Sequence, residues 1–105
     1  MSPSDDPYVV SLHGECDVSR YPQIRNALFN AGTSERLLVD LSAVTLLDST
    51  ILSEFIVAAH RWTSEGRRFV FLVPGESVYR LLSIAGLTAR LNVVRNRALA
   101  LERLG

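Results

Sequence analysis

A single cysteine, Cys16, stands among 105 residues. It can form no internal disulfide and no cysteine-based metal cluster. The only histidines are His13 and His60, too far apart and too isolated from carboxylates to show ligand spacing, so no metal site is expected. Neither sign of charge is in excess, because eleven basic residues face eleven acidic ones. That balance gives no bulk attraction to nucleic acid or to an anionic membrane. No apolar run reaches the ~18 residues that a membrane-spanning helix needs. Also missing are a Gly-x-x-x-x-Gly-Lys-Ser/Thr loop and a Gly-x-Gly-x-x-Gly turn after a strand, so no nucleotide cofactor is expected.

What is present is globular: 48% of the residues are hydrophobic and 21% are charged. A chain of this length makes one domain and buries about two thirds of its unfolded surface. The expectation is a single domain over residues 1–105, with residues 1–7 as a short disordered lead. MSPSDDP is polar and acidic, unlike a secretory leader. A cytoplasmic protein is expected.

Hydrophobic period sets the elements. Tyr8 to Leu12 is β-rich and reads as a strand bounded by Gly14, with Gly14-Glu15-Cys16-Asp17 as the turn after it. Ser19 is placed to cap a helix, Pro22 suits its first turn, and Tyr21, Ile24, Leu28 and Ala31 recur at helical spacing up to Gly32. Arg36 to Leu41 reads as a second strand, apolar enough to be buried on both faces. From Ser49 the period becomes helical again. Ile51, Leu52, Phe55, Ala59 and Trp62 fall on an inward face, and Ser53, Val57, His60, Arg61 and Ser64 on an outward one, up to Gly66. Arg68 to Val73 is the clearest strand. Glu76 to Ala85 reads as a helix with Val78, Leu81, Leu82 and Ala85 inward, stopped by Gly86. Leu91 to Val94 and Arg97 to Leu104 complete the series as a short strand and a helix. Strand and helix alternate four times, which implies an α/β fold: a small, largely parallel sheet covered by about four helices. Strand-to-helix junctions then gather at the carboxyl edge of the sheet, the usual place for function in such folds. Gly14 to Asp17, Asp48 to Thr50 and Pro74-Gly75 are three such junctions.

The stretch "TLLDSTILSEF" places an acid and two hydroxyls between apolar runs. A serine nucleophile needs a base and usually a glycine-flanked elbow. Ser49 has no flanking glycine, His60 lies about three turns along the same helix on its solvent side, and only His13, at the end of the first strand, could reach this edge. A hydrolase is therefore not expected. Two readings remain open and are compatible. Asp48 or Ser49 caps the helix, worth about 1 kcal/mol. Alternatively, Ser49 is modified, because the unpartnered first-turn N–H groups and the positive end of the helix dipole accommodate a phosphate. Val57 is either one lone exposed apolar residue, which is normal, or a partner contact. Trp62 is read as core and Arg61 and Arg67-Arg68 as solvated; Cys16 has no basic or resolving neighbour in sequence to support a redox role, and Asp17 either caps the first helix or contributes to a partner surface.

"LLVDLSAVTLLDST", the amphipathic helix after it, and "GRRFVFLVPGESVYRLLSIAGLTARLNVV" together resemble the anti-sigma factor antagonist family, whose fold is the STAS domain. "GECD" resembles its Gly-Glu-hydrophobic-Asp turn, which puts Cys16 at the hydrophobic position and makes it a small apolar filler, and "LSIAGL" resembles its Leu-x-x-x-Gly-Leu segment. The likeness runs from about Val9 to Leu101. It implies a non-enzymatic STAS fold, a small mixed, largely parallel β-sheet, that binds an anti-sigma factor, often a serine kinase, and so releases a sigma factor for transcription. It implies phosphorylation of the serine directly after Asp, which is Ser49, and reversal by a phosphatase. It makes Asp48, Thr50, Ile51, Ser53, Val57, Glu15 and Asp17 the partner surface. The family's Asp-Ser-Ser/Thr motif continues with glycine, and this chain has Ile51. Glycine there serves a special backbone angle or a close partner approach. Ile51 also falls on the inward face of the helix. The alternative within the same fold is a STAS scaffold or transporter-accessory domain that is not phosphorylated.

Overall fold

The computed structural model describes residues 7–105. The lead expected over residues 1–7 falls, up to residue 6, outside the described residues. The elements are β1 (Tyr8–Cys16), a 3-10 turn (Val18–Arg20), α1 (Tyr21–Phe29), β2 (Arg36–Leu47), α2 (Ser49–Ser64), β3 (Arg68–Leu72), α3 (Glu76–Ile84), β4 (Val93–Val94) and α4 (Arg97–Leu104). The sheet order is β1-β2-β3-β4. Every neighbouring pair is parallel. Parallel neighbours need a crossover between them, and α1, α2 and α3 supply the three crossovers. Among the described residues, no helix is long and apolar enough to cross a membrane.

The sheet is buried on both faces at its centre. On β2 and β3, Leu37, Val39, Leu41, Phe69 and Phe71 join the large core that also holds Ile24, Leu28, Ile51, Phe55 and Trp62. The alternate residues Leu38, Val70 and Leu72 turn the other way, onto Ala100 and Leu104 of α4. Leu37 to Val39 of β2 and Phe69 to Leu72 of β3 therefore read as continuous apolar runs, as segments covered on two faces should. Helix α2 is seated on β3 by aromatic contacts. Phe55 and Phe71 have ring centroids 5.1 Å apart, and Trp62 and Phe69 are separated by 5.6 Å. Such pairs add about 0.5–1.5 kcal/mol beyond the area they bury.

Four expectations are corrected. Gly14 does not end β1, and Glu15 and Cys16 belong to the strand, so only Asp17 of the "GECD" segment leaves it. The reason is β2, which continues to Leu47 rather than stopping at Leu41 and gives Cys16 a partner in Leu47. Gly14 lies inside the strand at φ +70, a left-handed angle that a side chain would strain. Second, of the two candidate caps, Asp17 and not Ser19 closes the first helical turn, accepting from the Ser19 N–H at 3.0 Å. Third, on α3 only Val78 and Leu82 are buried, while Leu81 and Ala85 are exposed. Fourth, strand β4 is limited to Val93–Val94 because Asn92 takes φ +51 and gives its side-chain amide to the Phe69 carbonyl at 3.0 Å.

The arginines expected to be solvated hold parts of the chain together. Arg61 donates to the Leu28 carbonyl at 3.0 Å and stacks over the Phe29 ring at 4.6 Å, tying α2 to α1. Arg67 donates to the carbonyls of Ser34 and Gly32 at 2.8 and 2.9 Å and pairs with Glu65 at 3.1 Å. Arg68 donates to the Leu104 carbonyl at 3.4 Å. Arg67 also follows a closed helix end. Gly66, at φ +74, lets its own N–H return to Thr63 and the Arg67 N–H return to Trp62. This is the six-to-one and five-to-two pairing of a Schellman stop.

Candidate functional site

The end of β1 and the start of α2 form one surface. Cys16 and Leu47 are the last paired residues of the two strands. The next residue on β2, Asp48, donates its N–H to the Cys16 carbonyl at 3.2 Å. Asp48 has extended angles, φ −101 and ψ 172, and its Oδ1 accepts from the Ile51 N–H at 3.1 Å. The cap on α2 is thus Asp48. It satisfies a first-turn donor that would otherwise lack a partner.

Ser49 is left free by that arrangement. Its side chain is exposed, and its hydroxyl has no hydrogen-bond partner among the described residues. Only its carbonyl is engaged, by the Ser53 hydroxyl at 3.0 Å. Thr50 is exposed beside it. Ser53 and Val57 lie one and two turns further along α2, both exposed, with Val57 57% accessible. Ile51 is different. It is fully buried in the large core, and its backbone is ordinary helix, since Asn92 is the one described non-glycine residue with positive φ. Its side chain offers a partner no surface, and it does not obstruct the approach to Ser49.

On the β1 side, Glu15 is exposed and Asp17 half-buried. The Asp17 carboxylate accepts from both the N–H and the hydroxyl of Ser19, at 3.0 and 2.5 Å. The Ser19 hydroxyl bond, with the backbone N–H bond second, holds the Asp17 pKa below the ordinary carboxylate value. Cys16 is completely buried, with Sγ 3.9 Å from the carbonyls of His13 and Gly14, and burial pushes its thiol pKa up. It fills space, as its position in the sequence suggested, but it does have a basic neighbour. Arg20 Nη1 lies 3.9 Å from Sγ.

Arg20 is the residue that sequence reasoning missed. Its guanidinium donates to the carbonyl of His13 and to that of Glu15 at 3.0 Å. These carbonyls flank Gly14 in β1, an edge strand with only β2 beside it among the described residues. Arg20 therefore clamps the irregular end of β1. A pairing five residues apart belongs to neither helix nor strand period, so no pattern announces it. The surface around Ser49 carries three carboxylates, Glu15, Asp17 and Asp48, and one guanidinium whose donors are turned to backbone. Pro74-Gly75, the third loop expected here, bonds elsewhere. Arg95 holds it through the carbonyls of Val73 and Pro74 at 3.0 and 3.3 Å. Neither His13 nor His60 bonds to Ser49 among the described residues; both are exposed.

A family model described as "Mlab, STAS domain" matches residues 2–95. The crystal structure of a candidate anti-sigma factor antagonist from Thermotoga maritima, TM1081, has the same fold, with a TM-score of 0.80 and 23% identity over 91% of this chain and 86% of that one. An NMR structure of TM1081 gives a TM-score of 0.78 and 20% identity over 91% of this chain and 79% of that one. No curated protein matches the sequence.

Proposed function

The chain belongs to the STAS-domain family, and from that premise we propose that it is an anti-sigma factor antagonist whose switch is Ser49. In the unmodified state, Glu15 and Asp17 at the end of β1, together with Asp48, Thr50, Ser53 and Val57 on and before α2, bind an anti-sigma factor that is also a serine kinase. A sigma factor is released. The kinase phosphorylates Ser49 and a phosphatase restores it, in the cytoplasm. The chain acts by binding and performs no chemistry itself.

The observation that carries this reading is the division of labour between Asp48 and Ser49. Asp48 does the capping, so the exposed Ser49 hydroxyl is free to accept a phosphoryl group without loss of an internal bond. The group would add about −1.5 to −2 charges to a surface that already holds Glu15, Asp17 and Asp48. A partner fitted to the neutral serine then meets bulk and unpaired negative charge, which opposes binding. The first-turn N–H groups of α2 accommodate the phosphate locally, so the fold survives the change. Ile51 in place of the family's glycine sits in the core and leaves the serine accessible.

The test uses three immobilised forms, with Ser49 unmodified, changed to Ala, or carrying a genetically encoded phosphate. Each is offered extract from the native cell, with ATP added in parallel and intact mass recorded. An ATP-binding anti-sigma protein retained by the first two and lost from the third supports the switch, as does one added phosphate on the wild type alone. Equal retention on all three forms rules out the charge switch and leaves the unphosphorylated STAS scaffold.

A further inference from the structure

At the opposite, amino-terminal edge of the sheet, the end of α2, the start of β3, Asn92 and the last turn of α4 surround an open hollow of about 460 Å3. That volume lies in the range of small-molecule sites. Three arginines line it, Arg67, Arg68 and Arg103, and none of its lining residues is a carboxylate. Their donors are unequally used. Arg67 is committed to the Ser34 and Gly32 carbonyls and to Glu65. Arg68 gives one N–H to the Leu104 carbonyl at 3.4 Å, long for such a bond. Arg103 is exposed and has no hydrogen-bond or ion-pair partner among the described residues. A guanidinium has five N–H donors, so Arg68 and Arg103 hold most of theirs in reserve.

Cations do collect where a helix ends, because its last carbonyls carry partial negative charge. The end of α4 explains a basic residue at Arg103 and the reach of Arg68. It does not use up their donors: Arg68 and Arg103 line one hollow that no carboxylate lines, whereas the charge of Arg67 is already met by Glu65. An anion between Arg68 and Arg103 offsets the repulsion of their like charges, and the planar fork of arginine matches the paired oxygens of a phosphate or carboxylate. Phe69 and Val70 border the hollow but are only 6% and 2% exposed, so their side chains belong to the core. We propose that this hollow binds a small organic anion through its phosphate or carboxylate head, held by Arg68 and Arg103. The hollow lies at the end of α2 opposite Ser49.

The test is an NMR titration of the full chain with phenyl phosphate, with benzoate, and with sodium chloride at matched ionic strength. It follows the amides of Gly66, Arg68 and Asn92. A saturating shift with an organic anion at a Kd on the order of 1 mM, absent with chloride, is the expected result. The tighter of the two organic anions identifies the head group. Arg103→Gln is expected to weaken binding about tenfold. The exposed Arg80 on α3 lies outside the hollow, so Arg80→Gln should leave binding unchanged. Arg103 is on the surface, and an unaltered thermal melt verifies that its variant is folded. Shifts that never saturate, affinity retained in Arg103→Gln, or an equal loss in Arg80→Gln would each overturn the proposal.

Discussion

The N–H of Asp48 donates to the carbonyl of Cys16 at 3.2 Å, and this bond joins the start of α2 to the end of β1. Two segments far apart in sequence, "GECD" and "LDST", become one surface through it. The same residue spends its carboxylate on the Ile51 N–H. Both ends of Asp48 are therefore structural, and the neighbouring serine is not.

That contrast predicts different costs for adjacent substitutions. Asp48→Ala removes the cap and should destabilise the fold by about 1 kcal/mol. Ser49→Ala removes an exposed hydroxyl without a partner and should stay within about 0.5 kcal/mol of wild type. Urea unfolding of the two variants measures both. Equal losses would mean that Ser49 has a structural bond after all, and its reading as a free acceptor would fall.

Restoring the family's glycine at Ile51 should harm this chain. Ile51 is fully buried, so truncation loses apolar contacts and leaves a cavity, as in other large-to-small core changes of about 2–5 kcal/mol. A glycine inside the helix adds about 1 kcal/mol more. Ile51→Gly should thus melt far below wild type, while Ile51→Val costs only about 0.5–1.5 kcal/mol. A glycine variant with near-native stability would show that the side chain contributes little to the core.

Some of this was legible in the sequence, and the exceptions have physical causes. Helix α2 declared itself through its period, and its inward face is inward as read, with Ile51, Phe55, Ala59 and Trp62 buried. Strand β3 declared itself as an unbroken apolar run. The second half of β2 did not. Ser11 pairs with Asp40 but His13 with Ala43, and Gly14 pairs with Val44 but Glu15 with Leu46. Each step inserts one extra residue in β2, and the first is absorbed by the Asp40 carboxylate, which accepts from the Ser42 N–H at 2.9 Å. Buried positions then fall at Leu41, Val44 and Leu47, a spacing of three that matches no strand template. The end of β1 was hidden for the same reason, since its partner was. The motif placed Glu15, Asp17, Asp48 and Ser49 near one another, but Arg20 acts through backbone carbonyls and has no sequence signature.

Removal of the Arg20 clamp should loosen one end of β1. Arg20→Ala leaves the carbonyls of His13 and Glu15 without their charged donor, a loss of about 1–3 kcal/mol before exposure to water offsets part of it. Hydrogen exchange should rise at the amides of Gly14 to Asp17 and stay unchanged in β3. Arg20→Lys keeps the charge but not the fork, so partial protection is expected. Native exchange rates at Glu15 and Cys16 in Arg20→Ala would show that the β1–β2 ladder alone holds this end.

Asp17 gives the surface a pH signature. Its pKa in the folded state lies below the unfolded value, chiefly because the Ser19 hydroxyl donates to its carboxylate and secondly because the Ser19 N–H does. The folded protein therefore holds the ionised form more firmly than the unfolded chain does. The stabilisation is complete above the ordinary carboxylate pKa, and it is lost as pH falls through the lowered one. In Ser19→Ala the hydroxyl is gone and the backbone N–H remains, so the Asp17 pKa should rise part of the way toward the ordinary value. Following the Asp17 carboxyl carbon by NMR from neutral to acid pH measures the change in both proteins. Coincident titration curves would exclude the Ser19 hydroxyl as the cause. A higher midpoint in the variant would mean that Ser19, itself outside the partner surface, keeps Asp17 charged well into the acid range. Any contact that reads that charge should then weaken at a higher pH in Ser19→Ala than in wild type.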